Sequence, residues 1–362
     1  MTNNRQWKLA RTPVEGWPAK GDFTFTSDIM PEPGLDQFCA RTIYLSMDPY
    51  QWGRRRSGIE AVGDICHGRT VSQVTLSRHD LYKEGDYIFN TNGWQEYGLV
   101  GKDVGVFNYM FPRKVDPALA PISTALGVLG MLGLTAYSGL YLQCQPQPGE
   151  TVVVSAASGG VGQNAGQIAK IKGCRVVGIA GSDEKCKFVT ETLGFSACIN
   201  RRNKDFAAQL RESCPDGVDI YFENVGGEVY EAVLPLLNRE SRITLCGLIS
   251  QYGNDQSTSA QEQWQATGKS VFEKQNVMVH SLFVGNFASD YQDQFLADMR
   301  GWIQDDLIRY KEDLWQGLEN APAAFSAMLV GDNFGKTIVQ VGDDPTTNEH
   351  IKKLRDSDSV LG

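Results

Sequence analysis

The chain has 362 residues, 41% of them hydrophobic, which is ample for packed cores and favours two domains over one. A net charge of −9 without any basic stripe argues against nucleic acid as a partner. The first thirty residues lack a signal-peptide core and no run approaches 18 apolar residues, so a soluble, cytoplasmic protein without a membrane anchor is expected.

In chain order, residues 6–9 read as a short strand, followed by a polar, proline-bearing stretch to Gly34. Strand-like runs come next at 38–44, 70–76, 86–89 and 94–100, separated by turn residues. Many short strands suggest a mostly β, partly open barrel rather than further βα units. At 123–142 the pattern turns helical, with Gly127, Gly130, Gly133 and Gly139 permitting close packing, and this is the expected crossover into a second domain. The eight cysteines form no C-x-x-C, and several read as small buried hydrophobes. Cys66-His67 is the one pair resembling metal chemistry, and with no third ligand nearby no metal is expected.

The stretch 151–185 organises the rest. Residues 151–155 read as a buried parallel strand, and Ala156-Ala157-Ser158-Gly159-Gly160-Val161-Gly162 as a turn. A helix follows, with Val161, Ala165, Ile168, Ala169 and Ile171 on one side and Gly173 as its left-handed stop. A second strand spans 175–180. Strand, glycine turn, helix and strand make a dinucleotide-binding unit. Gly159 lets the backbone approach a pyrophosphate, Gly162 lets the helix pack on the strand, and Ala157 stands where the first glycine usually does. The plain alternative is a tight turn with no ligand. At the end of the second strand, Ser182 is an N-cap, and Asp183 and Glu184 suit a first helical turn. Lys185 is uncomfortable there unless it meets an anion, so the 2′-phosphate of NADPH is expected rather than NADH. Arg201 and Arg202 either add charge to that pocket or are solvated loop residues.

Further along, helices are read at 206–214 and 230–237, and strands at 218–222, 242–248 and 276–284. Residues 253–275 are polar and weakly periodic, which predicts a mobile loop with a short helix. Helices at 291–307 and 318–330 and a strand at 335–341 complete the pattern, the strand returning to the first domain ahead of a polar tail. Ligands in open α/β sheets bind beyond the carboxyl ends of strands, which points to Glu223, Asn224, Gly247, Ser250, Tyr252 and Val284. Asn224 either bonds a ribose or nicotinamide amide or makes an Asx turn. The expected fold is α/β, a Rossmann doubly wound sheet at 127–315 beside a mostly β substrate domain at 1–126, with 316–362 returning to the latter.

Seven motifs carry a resemblance over residues 5–341: YLSMDPY (44–50), GVLGMLGLTAY (127–137), AASGGVG (156–162), VVGIAGSDEKC (176–186), DIYFENVGG (219–227), CGLISQY (246–252) and GDNFGK (331–336). The chain is similar to zinc-independent medium-chain dehydrogenase/reductases of the prostaglandin and alkenal double-bond reductase group, nearest its curcumin-reducing bacterial branch. That resemblance implies a GroES-like substrate domain. It implies that Gly159, Gly160, Val161 and Gly162 cradle the pyrophosphate, and that Ser182, Lys185 and Arg201 belong to the 2′-phosphate end. Asn224, Cys246, Gly247, Ile249, Ser250, Tyr252, Leu282, Phe283, Val284 and Asn333 then line the nicotinamide half, and Tyr50 and Tyr252 face the substrate. The zinc-binding G-H-E of related alcohol dehydrogenases falls on Gly63-Asp64-Ile65, so no metal is implied, and a homodimer is. Departures from the group pattern sit at Arg201, in the 2′-phosphate end, and otherwise on the substrate side. They are Arg201 for tyrosine, Gln51-Trp52 then Arg54-Arg55-Arg56 after Tyr50, Arg69 for a glycine and Leu132 for a proline.

The expected reaction is hydride addition from NADPH to the β-carbon of an enone or enal. The carbonyl oxygen then needs a pre-placed donor, for which Tyr252, the nicotinamide ribose 2′-OH or both are candidates; the α-carbon takes its proton from Tyr252 or water, and Tyr50 positions the substrate by stacking. Structural alternatives are a core aromatic wedged by Pro49 for Tyr50 and a hinge anchor for Tyr252. Quinone reduction and non-catalytic NADPH binding are the competing functions.

Overall fold

The computed structural model describes residues 2–105, 109–254 and 259–347. The chain begins with a separate antiparallel ribbon of β1 (Asn3–Leu9) and β2 (Phe23–Ile29). β3 (Gln37–Ser46) leads to a short helix, α1 (Tyr50–Arg56), and then to β4 (Thr70–Ser77), β5 (Tyr87–Asn90), β6 (Tyr97–Gly101) and β7 (Arg113–Lys114). β3 pairs antiparallel with both β4 and β6, and its register against β4 slips at Cys39/Ala40 and Thr42/Tyr44. Such slips bend a sheet and tighten its twist.

The expected helix at 123–142 is three pieces: a tight turn at Ile122–Leu126, α2 (Met131–Ala136) and a wide turn at Tyr137–Cys144. The glycines explain the break. A Cβ on Gly130 would stand 2.1 Å from the Ala125 carbonyl oxygen, and one on Gly133 2.0 Å from that of Val128. Backbone here packs on backbone, and a regular helix leaves no room for that.

The second sheet is built as expected by alternation. Its elements are β8 (Thr151–Ser155), α3 (Gly162–Ile171), β9 (Arg175–Ala180), α4 (Asp183–Lys187), β10 (Ala197–Asn200), α5 (Phe206–Ser213), β11 (Val218–Glu223), α6 (Gly227–Val233), β12 (Leu237–Leu245), α7 (Ala260–Gln275), β13 (Met278–Ser281) and α8 (Gly285–Gln304). The strands are parallel in the order β10-β9-β8-β11-β12-β13, which reverses direction between β8 and β11. That is the doubly wound order, and its switch point places a crevice at the carboxyl end of β8. Both faces are covered. Val152, Val154, Ile220 and Phe222 pack on one side with Ala165 and Ile168, while Val153, Tyr221 and Ile243 pack on the other with Val229 and Trp264.

The segment read at 253–275 as a mobile loop with a short helix is corrected in the helix's length. Within it α7 runs 16 residues, capped by the Ser259 hydroxyl and ended by Asn276 in the left-handed region. Only Trp264, stacked 4.6 Å from Tyr230, and Gly268 are buried on it, with Ala260, Val271 and Phe272 packed half-buried beside them, so the apolar stripe is thin and its periodicity faint. The chain then re-enters the first sheet at β14 (Glu312–Gln316), against an expected return at residue 316, and continues through α9 (Ala321–Val330) to β15 (Lys336–Gln340). β14 lies parallel to β15, which pairs antiparallel with β3. The ribbon strand β2, helix α1 and strand β14 were not expected; each is short or mostly exposed and carries little periodic signal. The polar tail beyond residue 347 lies outside the described residues. Among those residues no helix is long and apolar enough to cross a membrane.

Candidate active site

A cavity of about 750 Å³ lies at the carboxyl ends of β8, β9, β11 and β12, closed on its far side by residues of α1 and β15. Its size is that of a cofactor or drug-sized ligand site. Of the site residues named from sequence, all line it except Ser182, Glu223 and Arg202.

The glycine turn forms its floor. The left-handed position is Ala156, at φ 50°, one residue ahead of the expected glycine replacement. Ala157 is instead fully buried, and a Cβ on the neighbouring Gly178 would lie 2.9 Å from its own. A Cβ on Gly162 would stand 2.2 Å from the Ala156 carbonyl oxygen, and one on Gly160 2.2 Å from Leu132 and 3.2 Å from Lys336. Gly159 meets only the Ala156 carbonyl, at 3.2 Å. The loop is therefore pressed against protein on one side and left bare toward the cavity, as a phosphate cradle requires.

Two cations stand at one end. Ser182 caps α4, its hydroxyl accepting from the Lys185 amide at 3.3 Å, which holds the side chain at the start of the helix. Asp183 is turned aside, accepting from Asn200 at 2.9 Å. Lys185 reaches back to donate to the Gly331 carbonyl at 2.7 Å and lines the cavity together with Arg201. Arg202 is not a lining residue. Burial lowers the Lys185 pKa first, then the charge of Arg202; Arg201 adds to this while Asp332 opposes it. A cluster of cations that disfavours its own charge is a site made for an anion.

The middle of the cavity is held by the switch point. The Asn224 side chain donates to the Ser155 carbonyl at 2.8 Å, and its amide N–H to the Ser155 hydroxyl at 2.7 Å. This pins Asn224 across the two strand ends rather than in an Asx turn, with its side-chain oxygen as the group it can offer a ligand. Glu223, named as a strand-end candidate, does not line the cavity. It is buried and accepts from the amides of Val225 (2.8 Å) and Gly226 (3.0 Å), and burial raises its pKa. Burial also holds Cys246 as a neutral thiol, its pKa pushed up to about 12.

The far end is apolar and aromatic, with Trp17, Met47, Tyr109, Met110, Met131 and Phe283 around Tyr50 and Tyr252. Tyr50 and His67 share a hydrogen bond of 2.8 Å, their rings set edge to face. Burial, with Arg54, Arg55 and Arg69 behind it, lowers the His67 pKa to about 3, so the imidazole is neutral. The arginine run also divides by task. Arg54 lines the cavity. Arg55 is fully buried, bonded to Glu60 at 3.1 Å and stacked over Trp94 and Phe325. Arg56 donates to the backbone carbonyls of Tyr252, Val14 and Asn254.

Sequence reading missed one feature beneath the tyrosines. Asp48 accepts from Ser46 at 2.7 Å, from Arg69 Nε at 3.2 Å and from Lys336 at 3.1 Å. Burial works against the Asp48 carboxylate, yet Arg69 and Lys336 hold its pKa well below the usual range. Burial lowers the Lys336 pKa to about 8, Asp48 opposing it. The available signal was Arg69 itself: a cation in place of a glycine at the entry to β4, if buried, needs an acid, and Asp48 is fixed beside Tyr50.

The residues present fit a phosphorylated dinucleotide: a bare glycine turn, a cation pair at one end and a largely apolar, aromatic bay at the other. Comparison with known proteins agrees. Residues 160–298 match the zinc-binding dehydrogenase family and residues 5–107 the N-terminal domain of oxidoreductase family. The chain is 42% identical over 347 residues to an NADPH-dependent curcumin reductase of Escherichia coli, covering 94% of this chain and 98% of that one. This chain belongs to the medium-chain dehydrogenase/reductases, in the group of curcumin and prostaglandin reductases. Rat prostaglandin reductase 1 is 35% identical over 342 residues, covering 94% of this chain and all of its own. The crystal structure of CurA from Vibrio vulnificus in complex with NADPH superposes with a TM-score of 0.85 at 42% identity, over 94% of this chain and 100% of that one. Despite the name of the matching family, no three His, Cys, Asp or Glu side chains among the described residues are grouped to hold a metal ion. Asp64, where a zinc-binding histidine would fall, is exposed and accepts from the Ala61 amide at 3.1 Å.

Proposed function

We propose that this medium-chain reductase binds NADPH along the cavity and reduces the carbon–carbon double bond of α,β-unsaturated ketones and aldehydes, extended aryl enones of the curcumin type among them. The observation that carries the reading is one continuous cavity joining Lys185 and Arg201, the bare turn at Gly159–Gly160 and an aromatic bay holding two tyrosines. When bound, NADPH supplies the hydride. The chain's own residues do the rest. Lys185 and Arg201 hold the 2′-phosphate, and the amides of the glycine turn hold the pyrophosphate. Asn224, Cys246, Gly247, Ile249, Ser250, Leu282, Phe283, Val284 and Asn333 shape the nicotinamide end. Tyr252 is the donor to the carbonyl oxygen and the proton source for the α-carbon; burial raises its pKa, so its phenol stays protonated. Tyr50, held by His67, presents its ring to an aromatic substrate. Ser182 acts through α4, by placing Lys185.

The nucleotide-binding domain is read as 127–315 and the substrate domain as 1–126 with the C-terminal return. β13 is an unpaired sheet edge with Met278 58% exposed, which supports a homodimer formed by joining two such edges. A cytoplasmic location is part of the same reading. The test is a panel of enones, curcumin included, with NADPH consumption followed by absorbance and products identified. Saturated ketones support the proposal; a hydroquinone from a quinone substrate alone, or binding without turnover, refutes it. Tyr252→Phe should lower turnover at least tenfold without weakening NADPH binding, and unchanged turnover across the pH range would remove its role as donor.

A further inference from the structure

We propose that Cys186 and Cys198 are a modification site, a thiol pair that a hydroperoxide converts to an intramolecular disulfide, and that this bond weakens the grip on the NADPH 2′-phosphate. The coupling to cofactor rests on the function proposed above; the chemistry of the pair does not.

The two sulfurs face each other at 3.0 Å, one on α4 and one on β10. Their approach is fixed by packing. In register opposite Cys198 on β9 is Gly178, and a Cβ there would sit 3.2 Å from the Cys198 sulfur and 2.9 Å from Val189. Any side chain at 178 would displace the thiol, so the glycine keeps it aimed at Cys186. Cys198 donates its S–H to Cys186, which favours thiolate at Cys186 above all other influences on it. A thiolate beside a second thiol is the arrangement of redox-responsive cysteines.

The reaction balances without any group beyond the hydroperoxide. The Cys186 thiolate attacks one peroxide oxygen, the O–O bond breaks and the alcohol or water leaves, giving a sulfenic acid. The Cys198 sulfur then attacks Cys186, the S–O bond breaks, water leaves with the Cys198 proton and the S–S bond forms. Two thiols are oxidised and one peroxide is reduced. A dithiol reductant restores the pair.

The consequence follows from chain position. Lys185 precedes Cys186, and Arg201 follows Cys198 by three residues. Bond formation needs the sulfurs to close by about 1 Å. β10 is hydrogen-bonded along β9, so the short helix α4 must take the movement. That draws Lys185 off its bond to the Gly331 carbonyl, 2.7 Å long, and out of the position from which it meets a 2′-phosphate.

The experiment uses the full-length protein, reduced and then titrated with hydrogen peroxide. Intact mass should fall by two hydrogens, peptide mapping should join Cys186 to Cys198, and dithiothreitol should reverse both. The Kd for NADPH, read by fluorescence, should rise about tenfold, as for loss of one charge-assisted hydrogen bond, while that for NADH stays the same. Cys198→Val should lose the mass change and the affinity change together, and Cys186→Ser should do the same should the first variant fold poorly. A disulfide elsewhere, oxidation confined to single sulfinic acids, or an NADPH Kd unmoved by the bond would each overturn the proposal. Reduced protein that fails to bind NADPH at all would overturn the function proposed above, while the mass change would still report on the pair.

Discussion

Replacing Lys185 by methionine keeps the length of the side chain and removes its charge. In the folded protein Lys185 is half-buried, restrained by Gly331 and crowded by Arg201 and Arg202, so no other ordering is needed when a dianion arrives. A hydrogen bond to a charged group contributes about 1.5–3 kcal/mol. Because Arg201 shares the load and the site is part open to solvent, the lower end applies, and about 1.4 kcal/mol is tenfold in affinity. The NADPH Kd should therefore rise about tenfold in Lys185→Met and about a hundredfold in the double variant with Arg201→Ala, with NADH within twofold of wild type throughout. Equilibrium titration of both coenzymes by fluorescence is the assay. Wild-type affinity for NADPH should also fall more steeply with salt than that for NADH, because only one of the two carries the extra charges. Equal weakening toward both coenzymes would show that Lys185 serves only to clasp Gly331. No weakening toward either would show that the phosphate binds elsewhere.

Three further outcomes are expected. Gly162→Ala places a Cβ 2.2 Å from a backbone carbonyl that cannot yield, so it should cost about 1–3 kcal/mol in urea unfolding and disturb NADPH binding, whereas wild-type stability would contradict the geometry of the turn. Arg56→Met removes the donor to three carbonyls and should lower kcat by about tenfold or more while leaving the NADPH Kd unchanged, and a normal kcat would sever Arg56 from the placement of Tyr252. His67 has its folded pKa lowered from the ordinary 6.5 to about 3, so the unfolded chain binds a proton first as pH falls. The stability it contributes is complete above pH 6.5 and is lost toward its folded value, so wild type should lose on the order of 1–2 kcal/mol more than His67→Asn between pH 8 and pH 5. An identical loss in the two proteins would mean that His67 is solvated.

The nucleotide unit was legible because it is local. Strand 151–155, the glycine turn, the stop at Gly173 and the cap at Ser182 lie within 35 residues, and each depends on chemistry readable in one dimension. What escaped depends on distant partners. Asp48 and Lys336 stand 288 residues apart, and nothing near either shows that they meet. The arginine run at 54–56 gave no hint that Arg55 would be sealed between indole and phenyl rings. Helix α7 was read as shorter than it is because the stripe that fastens it is thin, with only Trp264 and Gly268 buried between the half-buried Ala260, Val271 and Phe272. Ser182 was legible as the nucleotide unit was: its cap depends on a neighbour three residues away, the Lys185 amide from which its hydroxyl accepts.

Arg56 ties the Tyr252 loop to α1 and to the N-terminal segment at Val14, and the Gly16 N–H adds a hydrogen bond of 2.9 Å to the Gly253 carbonyl. Tyr252 is thus encoded in the coenzyme half of the chain but mechanically attached to the other half. If the two halves part to release product, the phenol travels with the walls of the substrate bay and not with the sheet that ends at Leu245. Departure of the coenzyme then need not dismantle the bay, and the order in which the two ligands leave is set by which side of that staple gives way.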